Sequence, residues 1–256
     1  MTTRRAIVRR GVKRPDDLAV ESPLVLALDG EAIATLMRTP GNDLELAAGW
    51  LCVESGVRAP ADIVQLRGCR EDDTDRVHLT LAPGVAPPRP RAFVTSAACG
   101  VCSADVLDLA PLVRSAPHSA HWWVAGETLV GLPDRLRERQ RTFDKTGGVH
   151  AAGLADADGT LRTVFEDVGR HNAVDKVVGR ALLDAELPAT DRLLVVSGRV
   201  SFEIVQKAVA AGVAGIVAVS APSSLAVDLA RQYGLLLAGM VRGGGANLYA
   251  GEELVG

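Results

Sequence analysis

Only four cysteines occur in 256 residues. That is too few, in too large a chain, for a disulfide-stapled scaffold, and it points to a reducing compartment. No apolar run reaches the length of a membrane span, and the arginines that follow Met1-Thr2-Thr3 lead into no signal-peptide core. The chain is therefore read as cytoplasmic with no membrane partner, and Arg4-Arg5 as part of a solvated tail. Positive charge is also not in excess: 28 Lys and Arg stand against 31 Asp and Glu, a net charge of -3. Nucleic-acid binding through bulk charge is thereby disfavoured. Neither a Gly-x-x-x-x-Gly-Lys-Ser/Thr loop nor a Gly-x-Gly-x-x-Gly turn is present, so an ordinary ATPase or dinucleotide dehydrogenase is not supported. What the chain does have is 48% hydrophobic residues, enough for a substantial core in one large or two small domains.

Residues 1–20 are Arg-rich without apolar periodicity and read as a flexible leader. Residues 21–91 read as a β-rich N-terminal subdomain: runs at 24–28 and 32–37 flank Asp29-Gly30, a hairpin turn pair. A helix capped by Asn42 extends to about Ser55, and short strands follow at 63–66 and 77–81. Pro83 to Pro90 form a connector that cannot enter a sheet interior. Residues 92–256 read as a layered α/β domain. Helices are expected at 103–114, 127–141 and 170–185, with a hairpin of 149–154 and 161–165 turning at Asp156 to Thr160. From 193 onward strands (193–196, 216–219, 235–241) alternate with helices (201–211, 223–233), the pattern of a partly parallel, buried sheet with right-handed crossovers.

Cys99-Gly100-Val101-Cys102 is the most informative motif. Gly100 permits a tight turn between the thiols, and a helix starting near Ser103 would favour thiolate through its N-terminal dipole. The spacing alone is compatible with a persulfide carrier, a redox disulfide, half a zinc site, or two small apolar residues filling a turn. Zinc would need two more ligands. Cys52 reads as a core residue on the Leu46, Trp50, Val53 side of its helix, and Cys69 as a loop residue beside Gly68. His150 opens a strand after Gly147-Gly148, where a lone histidine is more often a packing residue. A zinc deaminase needs His-x-Glu before Pro-Cys-x-x-Cys. Here Ala152 takes the glutamate position and the cysteines precede the histidine, so hydrolytic deamination is disfavoured.

Glu166-Asp167-Val168-Gly169-Arg170-His171-Asn172 joins a strand to a helix. Asp167 or Asn172 can cap locally while Arg170 and His171 face a ligand, a reading evenly matched by a cap with solvated charges. Three further loops have anion-binding character: Ser197-Gly198-Arg199-Val200-Ser201, Ser220-Ala221-Pro222-Ser223-Ser224 and Arg242-Gly243-Gly244-Gly245. Helix-start N–H groups, hydroxyls and guanidinium suit phosphate oxygens, and α/β sheets bind ligands beyond their strand carboxyl ends.

Ser96 to Cys102, Phe143 to His150, Phe165 to Lys176, Ser197 to Lys207 and Ser220 to Val227 together resemble the formate dehydrogenase accessory sulfurtransferase (FdhD) family over roughly residues 22–250. The resemblance implies a cytidine-deaminase-like layered α/β domain that carries sulfur. A cysteine desulfurase would load a persulfide on Cys99, and the sulfur would pass to the molybdenum bis(molybdopterin guanine dinucleotide) cofactor, a bound substrate, before insertion into formate dehydrogenase. Cys102 would stabilise the persulfide or attack its inner sulfur. Met240, Val241, Arg242, Gly243, Gly244 and Gly245 align with the family's cofactor segment, with Ser197, Arg199, Ser220, Arg170 and His171 as further cofactor contacts. That segment commonly adds a basic residue and an aromatic after the arginine. Gly245 and Ala246 stand there instead, leaving Arg242, with Arg199 or Arg170, to supply the charge. The resemblance further implies a homodimer, and no catalytic metal is expected. A cofactor chaperone that transfers no sulfur is the binding-class alternative, and a zinc hydrolase on the same scaffold the enzyme-class one.

Overall fold

A computed structural model describes residues 2–88, 108–113 and 116–256. Cys99, Cys102 and most of the helix expected at 103–114 lie outside the described residues.

The first element corrects the sequence reading. Residues expected to be a flexible leader form an antiparallel hairpin, β1 (Thr2–Arg9) and β2 (Val12–Ala19). Arg10 and Gly11 turn it with φ of 53° and 78°, the left-handed pair that a two-residue hairpin turn requires. Most of its side chains are exposed, which is why no apolar alternation marks it.

A four-stranded sheet follows, ordered β4-β3-β6-β5 from β3 (Ser22–Leu28), β4 (Glu31–Arg38), β5 (Ile63–Glu71) and β6 (Thr74–Leu81). Asp29-Gly30 turns the first hairpin as expected, while β3 and β6 run parallel. Cys69 lies within β5 and not in a loop. Between β4 and β5 runs α1 (Asp43–Glu54). Asn42 occupies its N-cap position in a left-handed conformation without a side-chain capping bond, so the cap is positional only.

Eight of the twelve residues of α1 are buried, including Cys52, because the helix is enclosed on more than one side. One neighbour is the small sheet. Another is α4 (Arg170–Leu183), whose contact with α1 is made by glycines. A Cβ on Gly49 would lie 1.9 Å from the Asp175 carbonyl oxygen, and one on Gly179 would lie 1.8 Å from the Glu45 carbonyl oxygen. The two backbones touch where a side chain would otherwise intervene.

The larger sheet has six strands ordered β12-β11-β10-β9-β7-β8: β7 (His150–Ala155), β8 (Leu161–Asp167), β9 (Leu193–Val196), β10 (Gly215–Ala218), β11 (Leu236–Arg242) and β12 (Gly245–Ala250). Strands β9, β10 and β11 are mutually parallel; β7 and β12 flank them antiparallel. α5 (Phe202–Ala211) and α6 (Ser224–Gln232) make the crossovers. Alternate residues feed two cores. Leu194, Val196, Ile216 and Leu237 pack with α1, α4, α5 and α6, while Leu193, Val195, Val217 and Leu236 pack with α2 (Gly126–Arg137) on the other face. Burial on both faces explains the continuous apolar runs of these strands. The helix expected at 127–141 is divided: α2 stops at Arg137, and a short α3 (Arg141–Thr146) follows. Glu166 receives the Thr142 and Phe143 N–H groups at 2.7 and 2.8 Å, capping the second piece.

Candidate functional site at the carboxyl edge of the sheet

The parallel strands β9, β10 and β11 all end on one edge, and the residues expected to bind a ligand gather there. After β9, Ser197 continues the pairing with β7. Its Oγ accepts the Ala151 N–H at 2.8 Å, leaving one lone pair and the hydroxyl proton to offer a ligand. Gly198 is buried; a methyl group there would come 3.3 Å from His150 Nδ1 and 3.7 Å from Arg170 Cβ. The missing side chain thus lets the β9 loop close on His150 and Arg170. Arg199 is exposed beside them. The loops after β9 and β10 are joined by backbone bonds, Val200 N–H to Ala221 carbonyl at 3.3 Å and Ser223 N–H to Val200 carbonyl at 2.9 Å. Ser223 caps α6 by accepting the Ala226 N–H at 3.3 Å.

Arg170 and His171 begin α4 on the same edge. His171 Nε2 lies 2.9 Å from Glu203 and 3.4 Å from Ser201 Oγ, which ties α4 to the start of α5. Arg170 Nε is buried and has no hydrogen-bond partner among the described residues. A buried donor left unpaired costs free energy, and an acceptor that reached it would recover that cost. Burial, and then the positive charges of Arg170, His171 and Arg199, hold the His150 pKa below its usual 6.5. The corner is electropositive at neutral pH through its arginines, with His150 neutral and able to gain a proton when an anion arrives. It has the chemistry to hold phosphate oxygens.

Met240 lies at a bulge in β11 with φ of 53°, and its N–H bonds the Ser220 carbonyl at 3.2 Å, bringing the last segment against the β10 loop. Val241 is buried in the core and only its backbone faces outward chemistry. Arg242 is exposed at the strand end. Gly243 and Gly244, with φ of 58° and 76°, form the turn of the β11–β12 hairpin, so these glycines serve a tight chain reversal and not a helix-opening loop. β11 stands two strands from β9, about 10 Å. Arg242 and the Arg170–Arg199 corner therefore stand along one shelf, the carboxyl edge of β9, β10 and β11. A separate cavity, of about 280 Å³, lies at the opposite end of the sheet, against Tyr233 and Gly212, and includes none of these residues.

The Glu166 to Asn172 motif divides into two jobs. Asp167 caps locally by accepting the Gly169 N–H at 2.8 Å, but it is fully buried and its other oxygen accepts the Thr39 N–H at 3.1 Å. Lys176 pairs with Asp167 at 2.7 Å and donates to the Thr39 carbonyl at 2.9 Å. Asn172 donates to the Met37 carbonyl at 2.8 Å. These groups clasp the small sheet to the start of α4. Arg170 is what remains for a ligand, His171 Nε2 being held by Glu203. His150 is the site residue that sequence reasoning set aside, and the glycines before it and at 198 were its only signal.

Comparison with known proteins follows the same map. A family model described as the FdhD/NarQ family matches residues 19–255. Proteins named sulfur carrier protein FdhD are 47% identical in Streptomyces coelicolor, over 100% of this chain and 96% of that protein, and 42% identical in Mycobacterium tuberculosis, over 95% and 93%. A third, from Sulfolobus acidocaldarius, is 38% identical over 94% and 91%. The crystal structure of a formate dehydrogenase accessory protein from Desulfotalea psychrophila shares the fold with a TM-score of 0.77, covering 100% of this chain and 98% of that one at 23% identity. With similarity running unbroken from the small sheet to the last strand, the chain belongs to the FdhD/NarQ family.

Proposed function

We propose that this protein is a cytoplasmic sulfur carrier that receives persulfide sulfur from a cysteine desulfurase on Cys99 and delivers it to the molybdenum bis(molybdopterin guanine dinucleotide) cofactor for formate dehydrogenase. The observation that carries the reading is the full-length similarity to proteins named sulfur carriers, in a chain that itself holds Cys99-Gly-Val-Cys102. The orphaned Arg170 donor and the shelf bounded by Arg199, Ser220 and Arg242 support it, because a guanine dinucleotide brings the phosphate oxygens such a shelf lacks. The family's cytidine-deaminase-like layering and homodimer belong to the same proposal.

In the loading step the Cys99 thiolate attacks the outer sulfur of the desulfurase persulfide. The sulfane sulfur changes partner, and the donor cysteine leaves as thiolate. For release, Cys102 thiolate attacks the inner sulfur of the Cys99 persulfide and expels hydrosulfide toward the cofactor. Sulfur leaves reduced by two electrons, both cysteines become a disulfide, and a dithiol reductant restores the thiols.

Intact-protein and Cys99-peptide mass spectrometry, after incubation with a desulfurase and cysteine, is expected to show one added sulfur atom on Cys99. It should be lost on adding the cofactor. A fully active formate dehydrogenase matured by Cys99→Ala would refute the carrier role. The anion shelf itself is independent of the thiols, so normal cofactor delivery by Cys99→Ser/Cys102→Ser would mark a chaperone instead.

A further inference from the structure

The outer face of the β5–β6 hairpin carries a donor set that the sulfur-carrier reading does not use. In the antiparallel register Arg67 faces His78, Cys69 faces Arg76 and Glu71 faces Thr74, so all six side chains share one face. It is the face turned away from α1: Val77 and Leu79 point into the core on the opposite side, and Gly68 lies against Leu44 of α1.

On that face Cys69 Sγ lies 3.4 Å from Glu71 Oε1, and His78 Nε2 lies 2.9 Å from the same oxygen. All three donor atoms are within 4.8 Å of one another, the one such grouping among the described residues. Metal–ligand lengths of 2.3 Å to sulfur and 2.0–2.2 Å to nitrogen or oxygen set tetrahedral donors about 3.3–3.6 Å apart. Small rotamer adjustments bring the three to that spacing. Arg76 Nε lies 3.1 Å from the second carboxylate oxygen, Oε2, an ion-pair contact without hydrogen-bond geometry. Oε1 is left facing the thiol and the imidazole.

We propose that Cys69 Sγ, Glu71 Oε1 and His78 Nε2 bind one borderline-soft divalent cation, zinc by donor set, with a solvent-facing fourth position held by water. Sulfur with nitrogen selects zinc over magnesium or calcium. The thiolate and the carboxylate balance the ion's two charges, which offsets the presence of Arg67 and Arg76 on the same face. Binding expels the Cys69 thiol proton and leaves the His78 ring neutral with its proton on Nδ1. The ion bridges the two strands at the sheet's edge, and its affinity adds to the stability of the hairpin by mass action.

The test uses the full chain, reduced and metal-free, carrying Cys99→Ser and Cys102→Ser so that the other thiol pair contributes nothing. Cobalt(II) titration is expected to give thiolate charge-transfer and tetrahedral d–d bands that saturate at one equivalent and vanish on adding zinc. Adding Cys69→Ser should abolish the charge-transfer band, and His78→Ala should weaken binding about tenfold or more. Adding Cys52→Ala should leave the band intact. Absence of the band in the doubly substituted protein, or its survival in Cys69→Ser, would overturn the proposal. Circular dichroism of each variant reports folding: Cys69 and His78 lie outside the core, so their variants are expected to fold, and the Cys52→Ala control, inside the core, is read against its own spectrum. The sulfur-loading assay on Cys99 is unaffected by either result.

Discussion

The crossing of α1 with α4 yields a test in which the same substitution has opposite signs at two sites. Gly179→Ala adds a methyl that would sit 1.8 Å from the Glu45 carbonyl oxygen and 2.6 Å from the Gly49 amide nitrogen. Both are backbone atoms of a buried helix and cannot rotate away, so the helices must part by more than 1 Å. A gap of 0.5–1 Å already forfeits a quarter to a half of a dispersion contact, and overpacking of this kind costs roughly 3 kcal/mol or more. Alanine's better helix propensity returns about 1 kcal/mol, leaving a net loss of about 2 kcal/mol. Gly131, inside α2, has nothing within 4 Å of the position a Cβ would take, so Gly131→Ala keeps only the propensity gain and should stabilise by about 1 kcal/mol. Equilibrium urea unfolding of the two variants, with equal slopes, measures both. If the two substitutions move the midpoint in the same direction, the close backbone contact is not what joins the small sheet to the large one.

How far the fold could be read from sequence depended on whether the packing left a periodic trace. The alternation from Leu193 to Val241 is legible because each strand is buried on both faces and each crossover is punctuated by Gly or Ser at its ends. Asp29-Gly30 is legible because a two-residue hairpin demands those backbone angles. The β1–β2 hairpin left no periodic trace: its strands carry Arg4, Arg5, Arg9, Lys13, Arg14, Asp16 and Asp17, and most of their side chains are exposed. Its one signal was Arg10-Gly11. β12 was hidden in the same way, since Gly243-Gly244-Gly245 reads equally as an anion loop or as a hairpin turn followed by an edge strand.

The site was legible as a set of loops, because strands that end on one edge bring their following residues together whatever those residues do. Individual roles were less so. Asp167, Asn172 and Lys176 find partners at Met37 and Thr39, more than a hundred residues earlier, and no local pattern announces such a partner. A charged motif that reads as ligand-binding is largely a fastening, and the fastening is what aims Arg170. His150 shows the reverse: alone on its strand it looked like packing, and only the approach of Gly198 makes it part of the shelf.

Two further outcomes are expected. Lys176→Met leaves the Asp167 carboxylate buried without its cation, a change of about 3–5 kcal/mol in unfolding free energy; a urea-measured loss below about 1 kcal/mol would show that the clasp is not holding the start of α4. His150 reports on the shelf directly. Its folded pKa lies below the 6.5 of the unfolded chain, so between the two values the unfolded state binds more protons and stability rises with pH; the contribution is lost as pH falls from 6.5 toward the folded value. The causes of that depression are burial and neighbouring positive charge, and an anion beside Arg170 and Arg199 cancels the second. Pyrophosphate at saturation should therefore move the His150 midpoint upward in an NMR titration of its ring Cε1–H. Arg170→Met should remove most of that shift, because the buried Nε then has no successor to hold the anion. If pyrophosphate binds and the His150 midpoint stays where it was, the phosphates sit elsewhere and the shelf at the ends of β9 and β10 is not the nucleotide site.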